Sequence, residues 1–260
     1  MGLPRRLLLS STFWEVSRPR NPLTPGHLAI VLTDPSKTFD AGSAADLLRC
    51  YRAARTALSA VLNSHTFRLQ FSMNWHPVGS GVGEPLAESS TPTFHLFGDT
   101  GPGAALAQPE LLQWPTAEQQ LALPAHRRRV LRETEREDLD LALRTEIRSA
   151  DAQAQGALPQ TSLPQGAGTA TVSVISLGDE SGASCGLKVT FGVVPSTAGA
   201  GEIGALAPEL VVDLAGKLTA QIEASPYPGV SCLALDGPQA VMYVYPRSVT
   251  EKTNPLLPPT

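Results

Sequence analysis

The segment Ser90-Thr91-Pro92-Thr93-Phe94-His95 places a histidine in a short strand pattern, Thr93 to Phe97. It directly follows a loop rich in Gly, Pro and Ser, Pro77 to Thr91. A neutral imidazole is nucleophilic near pH 7, and its second ring nitrogen can be oriented by a backbone carbonyl, so His95 is a residue able to do chemistry. No nearby Ser or Cys has a paired base that could replace it. Glycines let backbone N–H groups converge on an anion, which makes Gly81, Gly83 and Ser90 candidate phosphate holders. Asn74 and His76 stand at the mouth of the loop, where His76 could supply a donor, and His27 ends a proline-rich turn. Each has a plainer reading. His95 also suits a half-buried strand position, His76 the surface, His27 a backbone contact at a strand start, and Asn74 a loop cap.

The elements that must carry these residues follow from periodicity. A strand-like stretch, Thr12 to Ser17, precedes the turn Asn21 to His27 and a strand from Leu28 to Leu32, the two prolines forbidding helix between them. Ser43 can cap the next helix, on which Leu47, Tyr51, Ala54, Leu58 and Val61 share one face. Thr66 to Met73 alternates apolar and polar residues, as a half-buried strand requires. A charged helix is expected over Ala125 to Asp151, with Leu139, Leu143 and Ile147 as its stripe; the cluster Arg127 to Arg129 at its start would oppose the helix dipole. Ala152 to Gly168 reads as a flexible connection.

The order then recurs. Gly186 to Phe191 parallels the strand after Gly26, and a helix starting near Pro208 carries Leu210, Val211, Leu214, Leu218 and Ile222 on one face. Val230 to Leu235 parallels Phe67 to Met73, and Pro238 to Tyr243 parallels Pro92 to Phe97. Internal duplication is the economical explanation.

With Asn21-Pro22-Leu23-Thr24-Pro25-Gly26-His27-Leu28, Asn74 and Ser90 to His95 in this order, the chain resembles the histidine-triad superfamily. It is most similar to the duplicated branch of galactose-1-phosphate uridylyltransferase and the diadenosine tetraphosphate phosphorylases. The resemblance implies an α+β fold of two repeats, each a mainly antiparallel sheet with a long helix, related by a pseudo-twofold. It divides the chain into a first repeat at 1–105, a helical spacer and linker at 106–168, a degenerate repeat at 169–250 and a tail at 251–260. It also implies nucleotidyl transfer, phosphorolysis or hydrolysis of a nucleotide or nucleotide-sugar phosphoanhydride through a covalent His95 intermediate.

Asn74, His76, Gly81, Gly83, Ser90, Thr93, Phe97 and His27 would bind substrate, in a pocket between His95, the loop 77–91 and the turn before Leu28. The family's pattern is broken twice: Thr93 replaces the first histidine, and Phe97 stands where a third histidine or a glutamine would meet phosphate. In the second repeat Gln239, Val241 and Tyr243 take the triad places, leaving no nucleophile. Two alternatives stay open: a repurposed enzyme for a small phosphorylated or nucleoside-like metabolite, and a non-catalytic nucleotide-binding protein.

Composition sets the outer bounds. In 260 residues with 42% apolar side chains there is material for a real core. A net charge of −4 gives no broad footprint for nucleic acid or an anionic membrane. The expected partner is a nucleotide or phosphorylated small molecule, with a homodimer left open. Cys50, Cys185 and Cys232 lack any metal-ligand spacing and read as thiols of a reducing, cytoplasmic setting. No protein-held metal is expected, although Mg could arrive with the phosphates. Leu7 to Leu9 is too short an apolar run for a signal peptide, and no segment approaches a membrane span.

Overall fold

The computed structural model describes residues 6–86, 91–100, 114–156, 169–176, 185–192, 201–236 and 240–257. Its strands are β1 (Arg6–Ser10), β2 (Trp14–Arg18), β3 (His27–Leu32), β4 (Phe67–Met73), β5 (Thr93–Gly98), β6 (Thr169–Ser176), β7 (Cys185–Gly192), β8 (Gly229–Asp236) and β9 (Val241–Arg247). The longer helices are α1 (Ala41–Leu62), α3 (Glu133–Gly156) and α4 (Pro208–Glu223), with a short α2 (Ala117–Leu121).

All nine strands join one sheet in the order β1-β2-β3-β5-β4-β8-β9-β7-β6, and every neighbouring pair is antiparallel. Strands β4 and β8 meet at its centre in an unbroken register, Phe67 opposite Asp236 through Met73 opposite Val230. The three longer helices contribute to one core on a single face of the sheet, through Leu47, Tyr51 and Leu58 of α1, Leu139, Leu143 and Ile147 of α3, and Leu214, Leu218 and Ile222 of α4. Helix α1 touches both α3 and α4.

Three local expectations are corrected. The N-cap of α1 is Asp40, whose carboxylate accepts from the Ser43 N–H at 2.9 Å while Ser43 Oγ accepts from the Asp40 N–H at 2.8 Å. Ser43 is therefore the inner member of a capping box, an arrangement that satisfies two orphan donors at once. The helix expected from Ala125 starts at Glu133. Ala125–Arg127 form one 3-10 turn and the chain is extended at Arg128. The dipole decides it, because Glu133 and Glu135 occupy the first turn of α3 and the arginines stay outside. The expected strand Thr12 to Ser17 is shorter, and β1 runs beside it along Arg6–Ser10.

A buried ion pair holds α3 to β2: Arg18 Nε lies 2.8 Å from Asp140 Oδ1, and Arg18 also donates to the Pro25 carbonyl. At the centre, Tyr51 Oη donates to Asp236 Oδ2 at 2.6 Å, tying α1 to β8. Burial and the neighbouring carboxylate hold the Tyr51 phenol well above its ordinary pKa.

Candidate functional site

The register of β3 and β5 sets the site. His27 lies opposite Phe97 and Ala29 opposite His95, so the two histidines are diagonal neighbours across an antiparallel pair. Leu28, Ile30 and Leu96 enter the helix-side core, and alternation turns His27, His95 and Phe97 to the other face. This requires the backbones to approach closely at the strand ends. A Cβ on Gly26 would lie 2.0 Å from the Gly98 carbonyl oxygen, so only glycine fits there.

His27 Nε2 is 2.9 Å from His95 Nδ1, and the His27 ring stacks on Phe97 with centroids 4.1 Å apart. The Leu23 N–H donates to His27 Nδ1 at 3.2 Å. That donor makes His27 Nδ1 an acceptor, so His27 carries its proton on Nε2 and gives it to His95 Nδ1. His95 in turn carries its own proton on Nε2. The orienting partner of the candidate nucleophile is thus an imidazole, where a backbone carbonyl was expected.

The pair is roofed. His27 is 0% and His95 1% exposed. Above them Leu23, Val78, Val82, Phe97, Ala117 and Leu256 form a second apolar cluster, drawn from the proline-rich turn, a 3-10 turn at Val78–Val82, α2 and the C-terminal segment. The Leu23 carbonyl accepts from Gln120 Nε2 at 2.9 Å and Trp114 Nε1 at 3.4 Å. Residues 251–257 act as a strap across this face. Gln70, which faces His95 across β4 and β5, donates to the Leu256 carbonyl at 3.1 Å. Arg247 is fully buried, lies over the Trp75 ring at 4.6 Å, donates to Ser231 Oγ at 2.8 Å, pairs with Glu251 at 2.6 Å and grips the Leu257 carbonyl.

The glycine loop is not an open anion cradle. The Ser80, Gly83 and Glu84 N–H groups donate to the Pro77, Ser80 and Gly79 carbonyls, closing the turn on itself. Gly83 takes the left-handed conformation, φ +74°, that this closure needs. Gly81 packs against the strap, where a Cβ would lie 2.4 Å from Asn254 Oδ1. Thr93 Oγ1 donates to the Thr91 carbonyl at 2.9 Å. Asn74 is exposed and left-handed, φ 52°. His76 is exposed too, in a cleft of about 330 Å³ with Ser80, Gly81 and Lys252 to Pro255. Ser90 lies outside the described residues.

A cavity of about 690 Å³ borders Asn74, Pro77 and Thr93 but runs along the helix-side face, and His95 is not among its described lining. The reason is alternation: Phe71 and Phe94, beside the histidine, turn to that face. Sequence reading missed Gln70, Gln120 and Arg247. The alternation of Arg68, Gln70 and Ser72 carried a signal for the first; Gln120 and Arg247 had none. Among the described residues no group of three His, Cys, Asp or Glu side chains could hold a metal ion, and no helix is long and apolar enough to cross a membrane.

Compared with family models, with curated proteins and with solved structures, the chain matches none.

Proposed function

We propose that the chain is a duplicated histidine-triad-type protein acting on a nucleotide or nucleotide-sugar phosphoanhydride, with His95 as nucleophile and His27 as its positioning partner. The observation that carries this reading is the buried 2.9 Å contact between the two imidazoles, one of which ends the proline-rich turn and the other of which follows the glycine loop. The sheet order supports the duplication: from the outside inward, β2-β3-β5-β4 and β6-β7-β9-β8 follow the same chain order, with a helix between the second and third strands of each set in sequence.

Attack needs a lone pair on His95 Nε2, hence the tautomer protonated on Nδ1. Its Nδ1–H would then donate to His27 Nε2, and His27 would carry its proton on Nδ1. The pair keeps two protons throughout, but the Leu23 N–H must leave His27 Nδ1. Gln120 and the strap hold Leu23 and the roof in place, so lifting them both admits substrate and releases the productive tautomer. The bond from His95 Nε2 to the α-phosphorus forms as the leaving phosphate departs, and water or an acceptor later takes the nucleotidyl group.

The second reading, binding of a nucleotide without turnover, is favoured by the closed roof and the resting tautomer. Incubation with nucleoside triphosphates or dinucleoside polyphosphates, followed by intact mass spectrometry, separates the two. A nucleotidyl adduct on the wild type that is lost in a folded His95→Ala variant is the expected result, with more adduct in Asn254→Ala, which loosens the strap. Bound but unmodified nucleotide would favour the second reading.

A further inference from the structure

The helix-side cavity has no part in the chemistry above. It is about 690 Å³, within the range of about 300 to 1,000 Å³ of small-molecule sites. Its floor is the helix-side face of β3, β4, β5, β8 and β9, and its walls are α1 and α4, through Leu47, Leu48, Leu214 and Leu218. An aromatic string runs along it: Phe39 to Trp14 at 6.4 Å between centroids, Trp14 to Phe94 at 5.6 Å, Phe94 to Phe71 at 4.9 Å. Phe39, Phe71, Met73 and Phe94 pack on the core yet stay half-exposed. Apolar surface turned into a cavity of this size gains by contact with an apolar ligand, because water there finds few partners.

Lys37, Ser72, Asn74, Thr91 and Thr93 border the cavity around the ends of β3 and β4 and the start of β5. Among the described lining residues Lys37 is the only charged one. The Ser72 and Thr93 hydroxyls already donate to the His76 and Thr91 carbonyls, so Lys37 is the charged donor for a ligand head and the Asn74 amide and Thr91 hydroxyl are the neutral ones. Lys37 is held only loosely, 3.9 Å from an exposed Asp34 carboxylate. One cation with a few neutral donors on the border of an apolar cavity suits a single negative charge on a long apolar body.

We propose that this cavity binds an amphipathic monocarboxylate, its chain lying between the sheet and the two helices and its carboxylate at Lys37 and Asn74. The probes are dodecanoate and its neutral counterpart dodecanol, titrated into the full chain by calorimetry and by Trp fluorescence. Dodecanoate should bind saturably at one site. Ala215→Phe on the α4 wall should weaken it by about tenfold or more, as a filled site excludes the chain. Thr219→Trp, at an exposed rim position one turn on, should act in the same direction and decides the matter if Ala215→Phe does not fold. Lys37→Gln should weaken dodecanoate about fivefold and leave dodecanol unchanged, the scale of one exposed charge pair. Absence of saturable binding to the wild type, or wild-type binding by the folded filled variants, overturns the site. Equal loss of both probes in Lys37→Gln overturns the carboxylate.

Discussion

Strand β5 turns His95 and Phe97 away from the helices, and strand β9 turns Tyr243, Tyr245 and Arg247 the same way. Under the first strand lie two imidazoles 2.9 Å apart, one of which accepts from the Leu23 amide. Under the second lies a guanidinium that spends its donors on Ser231, Glu251 and the end of the strap. One half therefore holds the groups that could do chemistry, and the other holds the clamp that covers them.

That contrast can be broken most severely at Arg247. Arg247→Ala removes a side chain that joins β8, β9 and the strap, and a broken buried pair of this kind costs about 3 kcal/mol. The expected result in urea melts is a drop of that size, with faster deuterium uptake at residues 251–257 and at Leu23. Unchanged exchange at Leu23 would show that the clamp and the histidine roof are separate.

A smaller effect is expected from His27→Phe, which keeps an aromatic ring against Phe97 but leaves the Leu23 N–H and His95 Nδ1 without a partner. Each orphaned buried group costs about 1 to 3 kcal/mol, and partial relaxation of the turn should keep the total near about 2 kcal/mol. Nitrogen-15 NMR should then show His95 changing tautomer. A His95 signal identical to the wild type would refute the assigned hydrogen-bond direction.

The mildest test concerns the thiol side of the molecule. Burial pushes the Cys50 thiol up to about 11 and raises Cys232 as well, and neither points toward the histidine face. A folded pKa raised above the ordinary value of 9.0 gives stability that is present in full below pH 9 and lost as pH rises towards about 11. Urea melts should fall across that window, and less steeply in Cys50→Ala, with Tyr51 supplying a residual fall of the same sign. Alkylation at pH 8 should leave Cys50 and Cys232 unlabelled until the chain unfolds. Rapid labelling of either in the native state would refute the packing of the helix-side core.

Local pattern alone determined the elements around the site. The i, i+3, i+4 spacing of Leu47, Tyr51, Ala54, Leu58 and Val61 makes one buried face whatever surrounds it, and all five are buried. Period-two alternation from Phe67 and the Pro and Gly of the turn before His27 acted within a few residues too, so β3, β4 and β5 were legible. The Asp40 cap was misplaced by one turn because Ser43 and Asp40 share the box, and the sequence does not say which residue is outermost.

What the tertiary structure alone decided rests on contacts between segments far apart in the chain. The pairing of His27 with His95 spans 68 residues and depends on the register of β3 against β5, which no local pattern carries. Leu256 and Gln120 reach the same face from still farther away, and a tail rich in proline gives no periodic signal that it will pack. The protonation of the histidines followed from one amide, that of Leu23, whose direction is set by the fold of the turn and not by the identity of the side chain. Residue types named the chemistry available at His95; only the approach of distant backbones determined which nitrogen carries the proton and what covers it.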